Sequence, residues 1–71
     1  MISKETAIDI ARKYLRNQDY AINYKMDSPL AYIVEDEYHI EFQDIREDIE
    51  PGCCIIAVDM NSGIPRLEPV E

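Results

Sequence analysis

EYHIEFQDI, residues 37–45, decides the fold. Tyr38, Ile40 and Phe42 fall on one side of a two-residue period, and Glu37, His39, Glu41 and Gln43 on the other. Alternation of this kind predicts a half-buried β-strand, and so a sheet with an apolar face that must be covered. Downstream, CCIIAVDM at 53–60 is a near-continuous apolar run, the pattern of a central strand. Asn61-Ser62-Gly63 suits a tight hairpin loop with Gly63 at positive φ. Prolines at 65 and 69 limit residues 64–68 to an edge strand, since proline cannot donate to a ladder. Upstream, LAYIVE at 30–35 is apolar and partly β-branched, which predicts a short strand followed by a turn at Asp36. YAINYKM at 20–26 also alternates, with Tyr20, Ile22, Tyr24 and Met26 on one face, so a strand is expected there too. Asp27-Ser28-Pro29 would turn the chain after it.

The cover for the sheet lies at the start. Ala7, Ile8, Ala11, Tyr14, Leu15 and Gln18 trace one stripe of an amphipathic helix over residues 4–17. Ser3 is placed to cap it, and Glu5 sits in the first turn, where the helix dipole favours an acid. One helix and three to four short-linked strands make a single α+β domain over residues 1–71, with the helix packed on an antiparallel sheet. Charges interrupt the apolar residues of the opening segment, so no signal peptide is expected. No stretch reaches the length of a membrane span, and two adjacent cysteines cannot build a multi-bridge framework. A cytoplasmic protein is the expectation.

The net charge of −8 is concentrated. Residues 1–34 carry four acids and five bases, whereas residues 35–50 carry eight acids and one base. Such a chain lacks the basic footprint that phosphates require, and an anionic membrane surface would repel it. A basic protein surface is its complement. The eight acids, Glu35, Asp36, Glu37, Glu41, Asp44, Glu47, Asp48 and Glu50, form the candidate partner-binding set. Any of Tyr14, Tyr20, Tyr24, Tyr32 and Tyr38 that flanks them would anchor an interface.

Chemistry finds less support. On a strand, Cys53 and Cys54 point to opposite faces and cannot share one ion, so one is expected buried as a small apolar residue and the other half-exposed. His39 between Glu37 and Glu41 reads as part of a solvated face rather than a metal or acid–base pair. No nucleophile motif, glycine-rich phosphate loop or ligand cluster accompanies it. No catalysis, metal or cofactor is therefore expected.

The layout of SKETAIDIARKYL, tyrosine-rich strands and PGCCIIAVDMNSGIPRL resembles the small bacterial immunity proteins of polymorphic toxin systems, in particular the immunity protein 35 family. The close Asp59-Met60-Asn61-Ser62-Gly63 is also similar to the D-x-x-[ST]-G ending of a PepSY-type half-repeat. The first resemblance implies a protein without catalysis that binds one toxin domain and blocks its active site or substrate access. An acidic surface facing a basic enzyme fits that expectation, with steering to speed capture. Two other readings use the same acids differently: a phage-type mimic of nucleic acid, and a PepSY-like binding module without a toxin. A homodimer by edge pairing is open to so small a sheet, but nothing in the sequence selects it.

Overall fold

The computed structural model describes residues 1–46, 48 and 52–69. Helix α1, Lys4–Arg16, is followed by a 3-10 helix, Asp19–Asn23, and four strands: β1 Leu30–Val34, β2 Glu37–Gln43, β3 Cys53–Asp59 and β4 Pro65–Glu68. The sheet runs β1-β2-β3-β4, each strand antiparallel to the next. The fold is α+β, one helix laid on a four-stranded antiparallel meander, as the hydrophobic periods require.

Local chemistry sets the ends of α1. The Ser3 hydroxyl accepts from the Thr6 N–H at 3.1 Å, satisfying one of the free donors at the helix start. Asn17 stands just past the last turn, and its Nδ2 donates to the Lys13 carbonyl. Ala7, Ala11 and Leu15 are fully buried against Ile40, Phe42, Cys54, Ile56 and Val58. The two alanines, four residues apart on one face, let the helix axis approach the sheet closely. At the far end of the sheet, Gly63 takes φ 74 in the β3–β4 turn. A side chain there would be strained, and its Cβ would meet Ile10 Cδ1 at 3.5 Å.

Residues 20–26 correct the expected strand. Asp19–Asn23 is a 3-10 helix, and only Tyr24 joins the sheet, as a lone bridge to Asp44. Tyr20 and Tyr24 are four residues apart, a spacing that keeps them on one side in either period. Here their rings meet edge to face at 6.3 Å. Ile22, halfway between them, separates the two readings: it is 82% exposed, as a helical turn requires and a half-buried strand forbids.

The register sorts every strand residue onto one of two faces. Toward α1 lie Ala31, Ile33, Tyr38, Ile40, Phe42, Cys54, Ile56, Val58, Pro65 and Leu67. Beyond a pair made by Gln43 and Cys53, the opposite face has three rows, each read from β1 to β4. Leu30, Glu41, Ile55 and Glu68 form the first; Tyr32, His39, Ala57 and Arg66 the second; Val34, Glu37 and Asp59 the third. No helix among the described residues covers this open face. No helix in them is long and apolar enough to cross a membrane.

Candidate functional site

The open face divides into a side closed by an ion cluster and a side that is not. The cluster centres on Arg66 of β4. Its Nη2 and Nε donate to the two carboxylate oxygens of Glu37 on β2, at 2.7 and 3.1 Å, and Nη1 bonds Glu68. A bond from β4 to β2 has to pass over β3 at Ala57, the residue paired with Arg66. Ala57 is accordingly fully buried on a face that no helix covers. His39 Nε2 lies 3.3 Å from Glu37, and the His39 ring stands 5.7 Å from that of Tyr32. The imidazole is therefore only 7% exposed, which corrects the solvated placement expected from its alternation with glutamates. Donor atoms of Glu37, His39 and Glu68 lie within 4.8 Å of one another, a set whose residue types suit a cation. The Arg66 guanidinium supplies that charge from within the chain, and its hydrogen bonds hold the Glu37 carboxyl below the usual range.

The eight sequence-nominated acids separate into distinct groups. Glu37 is committed to Arg66. Asp44 has a fully buried side chain, and its Oδ1 accepts from the Arg46 backbone N–H at 2.7 Å and from Nε at 3.0 Å, while Oδ2 accepts from Nη2 at 2.8 Å. Those Arg46 side-chain bonds lower the Asp44 pKa most, and the charge is spent on the fold. Its neighbours tie the end of β2 to the 3-10 helix: Ile45 N–H donates to the Asn23 carbonyl and Lys25 N–H to that of Gln43. Glu47 and Glu50 lie outside the described residues. Glu35, Asp36, Glu41 and Asp48 remain, and among the described residues no cation pairs with them. Glu35 and Asp36 form the β1–β2 turn, Glu41 projects from the open face and Asp48 lies in the loop beyond β2. They are strung along β2, whose seven residues span roughly 20 Å.

Glu35 carries a second peculiarity. It takes φ 55, a left-handed conformation that glycine or asparagine fills at lower cost in a two-residue hairpin turn. A carboxylate is thus held where a smaller residue would be less strained.

Beside these acids lies apolar surface. Leu30, Tyr32 and Val34 line the open face along β1, and Ile33 stands on its other side; all four are exposed. Of the five tyrosines, Tyr32 is the one set between the acids in the middle row, next to His39. Burial and the nearby Glu41 carboxylate both raise its phenol pKa, so it presents as a neutral hydroxyl. Sequence reading missed Arg66 and the exposure of β1. The first comes from a remote strand. The second was legible only as LAYIV, a run without a charge, whose place at the sheet edge depends on topology.

The cysteines diverge as the strand period demands. Cys54 is buried beneath α1 and its thiol is pushed up to about 11; Cys53 lies on the other face, half-buried and likewise raised. Burial thus disfavours the thiolate at both, which makes them poorer nucleophiles than a free cysteine. With Tyr20, Tyr24, Leu67, Glu68 and Pro69 they line an open cleft of about 230 Å³, below the size of most ligand pockets.

No protein family, curated protein or solved structure matches this chain.

Proposed function

We propose that this protein is a non-catalytic inhibitor of the immunity type, which occludes a basic toxin or effector domain through the acidic side of its open sheet face. One observation carries the reading: the division of the carboxylates. Glu37, Glu68 and Asp44 are met by arginines, and Asp59 by the backbone N–H groups of Asn61 and Ser62. Among the described residues Glu35, Asp36, Glu41 and Asp48 meet no arginine or lysine, Glu41 accepting only from Gln43 Nε2 at 3.2 Å; Glu35 and Asp36 follow the exposed Val34, and Glu41 is paired with the exposed Leu30. Apolar anchors rimmed by charge of one sign are the composition of a binding surface for an oppositely charged protein. Leu30, Tyr32 and Val34 supply the desolvated contact, and the four acids give steering and orientation. A buried Cys54 thiol and a half-buried Cys53 thiol, both with raised pKa, and a histidine beside the Arg66–Glu37 pair support a role without chemistry of its own.

The test is co-expression with the product of the adjoining open reading frame, followed by association kinetics between about 0.05 and 0.5 M salt. The native protein should associate faster as salt falls. In the variant Glu35→Gln, Asp36→Asn, Glu41→Gln, Asp48→Asn, that slope should flatten. Each charge pair at ~8 Å in 0.15 M salt is worth about 0.2 kcal/mol, so four together slow association about four-fold. An unchanged rate with a flat native salt profile would remove the electrostatic basis of the proposal.

A further inference from the structure

We infer that the outer edge of β1 takes up an extended segment of the partner, flanked by lysine or arginine, as a fifth strand of the sheet. This rests on the basic-partner reading and states how such a partner docks.

The two edges of the sheet are treated differently. β4 begins at Pro65 and is followed by Pro69, so its outer edge is broken at both ends. Proline, charge and bulges are the usual defences of an exposed edge. β1 is preceded by Pro29 but has none of them within Leu30–Val34: every residue is uncharged, every one pairs in unbroken register with β2, and Leu30 and Ile33 are 58% and 60% exposed. An edge of this kind is a template for strand addition, in which main-chain bonds give affinity and alternate side chains give specificity. A strand laid there would set one side-chain row beside Leu30, Tyr32 and Val34, and the other beside Ile33 and Ala31.

Charge selects the occupant. The C-terminal end of β1 runs into Glu35 and Asp36, and its N-terminal end has Asp27 before it and Glu41 paired with Leu30. The C-terminal end of the edge is acidic and its middle is neutral; at the N-terminal end Asp27 has Lys25 two residues before it and Arg12 Nε bonded to the Met26 carbonyl at 2.9 Å, leaving Glu41 as the acid without a nearby cation among the described residues. A second copy fits poorly. An antiparallel pair centred on Tyr32 sets Asp36 of one copy opposite Ser28 of the other, next to Asp27, and repeats that clash at the other end. The exposed parts of Leu30, Tyr32, Ile33 and Val34 offer on the order of 350 Å² per copy. A symmetric pair thus reaches about 700 Å², short of the roughly 1,200 Å² at which stable interfaces begin. A segment with an apolar centre and basic ends satisfies both the acids and the edge.

The experiment uses the full chain, ¹⁵N-labelled, and three peptides. The first alternates valine and threonine between paired lysines, the second has glutamates in place of the lysines, and the third is the lysine peptide N-methylated at alternate residues. With the first, alternate amides within residues 30–34 should exchange at least about ten-fold more slowly, as new ladder bonds require. N-methylation and the glutamate ends should each weaken binding about ten-fold, by removing the ladder and reversing the charge. Ile33→Lys, at an exposed position, should keep the native spectrum and weaken the lysine peptide. Protection confined to residues outside β1 would overturn the edge assignment and leave a basic partner standing. Equal binding of the glutamate peptide would overturn both. Protection of β1 in peptide-free protein that sediments as a dimer would show a second copy in place and overturn the inference, as would a monomer that ignores all three peptides.

Discussion

Replacing Glu35 with glycine should make this protein more stable and a weaker binder. Glu35 sits at φ 55 in the two-residue turn between β1 and β2. A left-handed conformation costs an ordinary residue roughly 1–2 kcal/mol, a cost glycine avoids. Glycine also gains freedom in the unfolded chain, which returns about 0.5–1 kcal/mol to the unfolded state. The net gain is about 0.5–1 kcal/mol, and for a domain of this size it raises Tm by roughly 3–6 °C. Glu35→Ala removes the same carboxylate but keeps the strained backbone, so its Tm should stay within about 2 °C of the native value. The difference between the two variants isolates the backbone from the charge. Against a basic partner both lose one charge pair at ~8 Å, about 0.2 kcal/mol, and so associate about 1.4-fold more slowly. Thermal and urea unfolding read the first effect, and stopped-flow association reads the second. Equal Tm values for the glycine and alanine variants would refute the strain argument, and with it the idea that a carboxylate is kept in this turn at a structural cost.

Three further outcomes follow from the packing and the ion pairs. Leu15→Ala, at a fully buried position between helix and sheet, should cost about 2–5 kcal/mol, a large part of the roughly 4–11 kcal/mol available to a chain of this length. Ile22→Ala should stay within about 0.5 kcal/mol, and urea midpoints matching those of Leu15→Ala would restore the strand reading of residues 20–26. Acid should unfold the protein through Glu37, Asp44 and Asp59. All three are lowered in the fold, chiefly by hydrogen bonds from Arg66, from Arg46 and from the Ser62 backbone, respectively. Each binds its proton more weakly folded than unfolded. Its contribution is therefore whole above an unfolded value of about 4 and is lost as pH falls through the folded value. Far-ultraviolet circular dichroism should show stability level above about pH 5 and falling below about pH 4. In Arg66→Ala the part of that loss owed to Glu37 should shrink, and the native pH dependence in that variant would mean the Arg66 pair is not what lowers Glu37.

The sheet was legible because a two-residue period leaves little choice. Tyr38, Ile40 and Phe42 face α1, and Glu37, His39 and Glu41 face away, as their order in the sequence dictates. The same rule sent Cys53 and Cys54 to opposite faces. It failed at residues 20–26, because Tyr20 and Tyr24 satisfy two periods at once and the exposure of Ile22 is decided only by tertiary packing. For the candidate site the acids were visible but not their employment. Asp44 and Arg46 stand two residues apart, so that pair was within reach of sequence reading. Glu37 and Arg66 are separated by 29 residues and meet only because the meander sets β2 and β4 on either side of the small Ala57. The buried state of His39 has the same origin.

That long-range pair also explains why the surface is lopsided. Arg66 neutralises the open face from the β4 side, drawing Glu37 and Glu68 into one cluster and roofing Ala57. The arginine is committed there, and among the described strand residues no other arginine or lysine is carried on the open face. Toward β1 the acids Glu35, Asp36 and Glu41 are therefore left without a cation among the described residues, next to Leu30 and Val34. A meander of four strands has two edges, and here one of them has proline within the strand and an ion cluster, while the other has proline only before its first residue. Seven net negative charges within residues 35–50 repel one another in a domain with little stability to lose. Where the fold needs such charges it pairs them, as at Asp44 and Glu37. Among the described residues the carboxylates that no cation meets are Glu35, Asp36, Glu41 and Asp48, and these are the ones the proposed basic partner would neutralise.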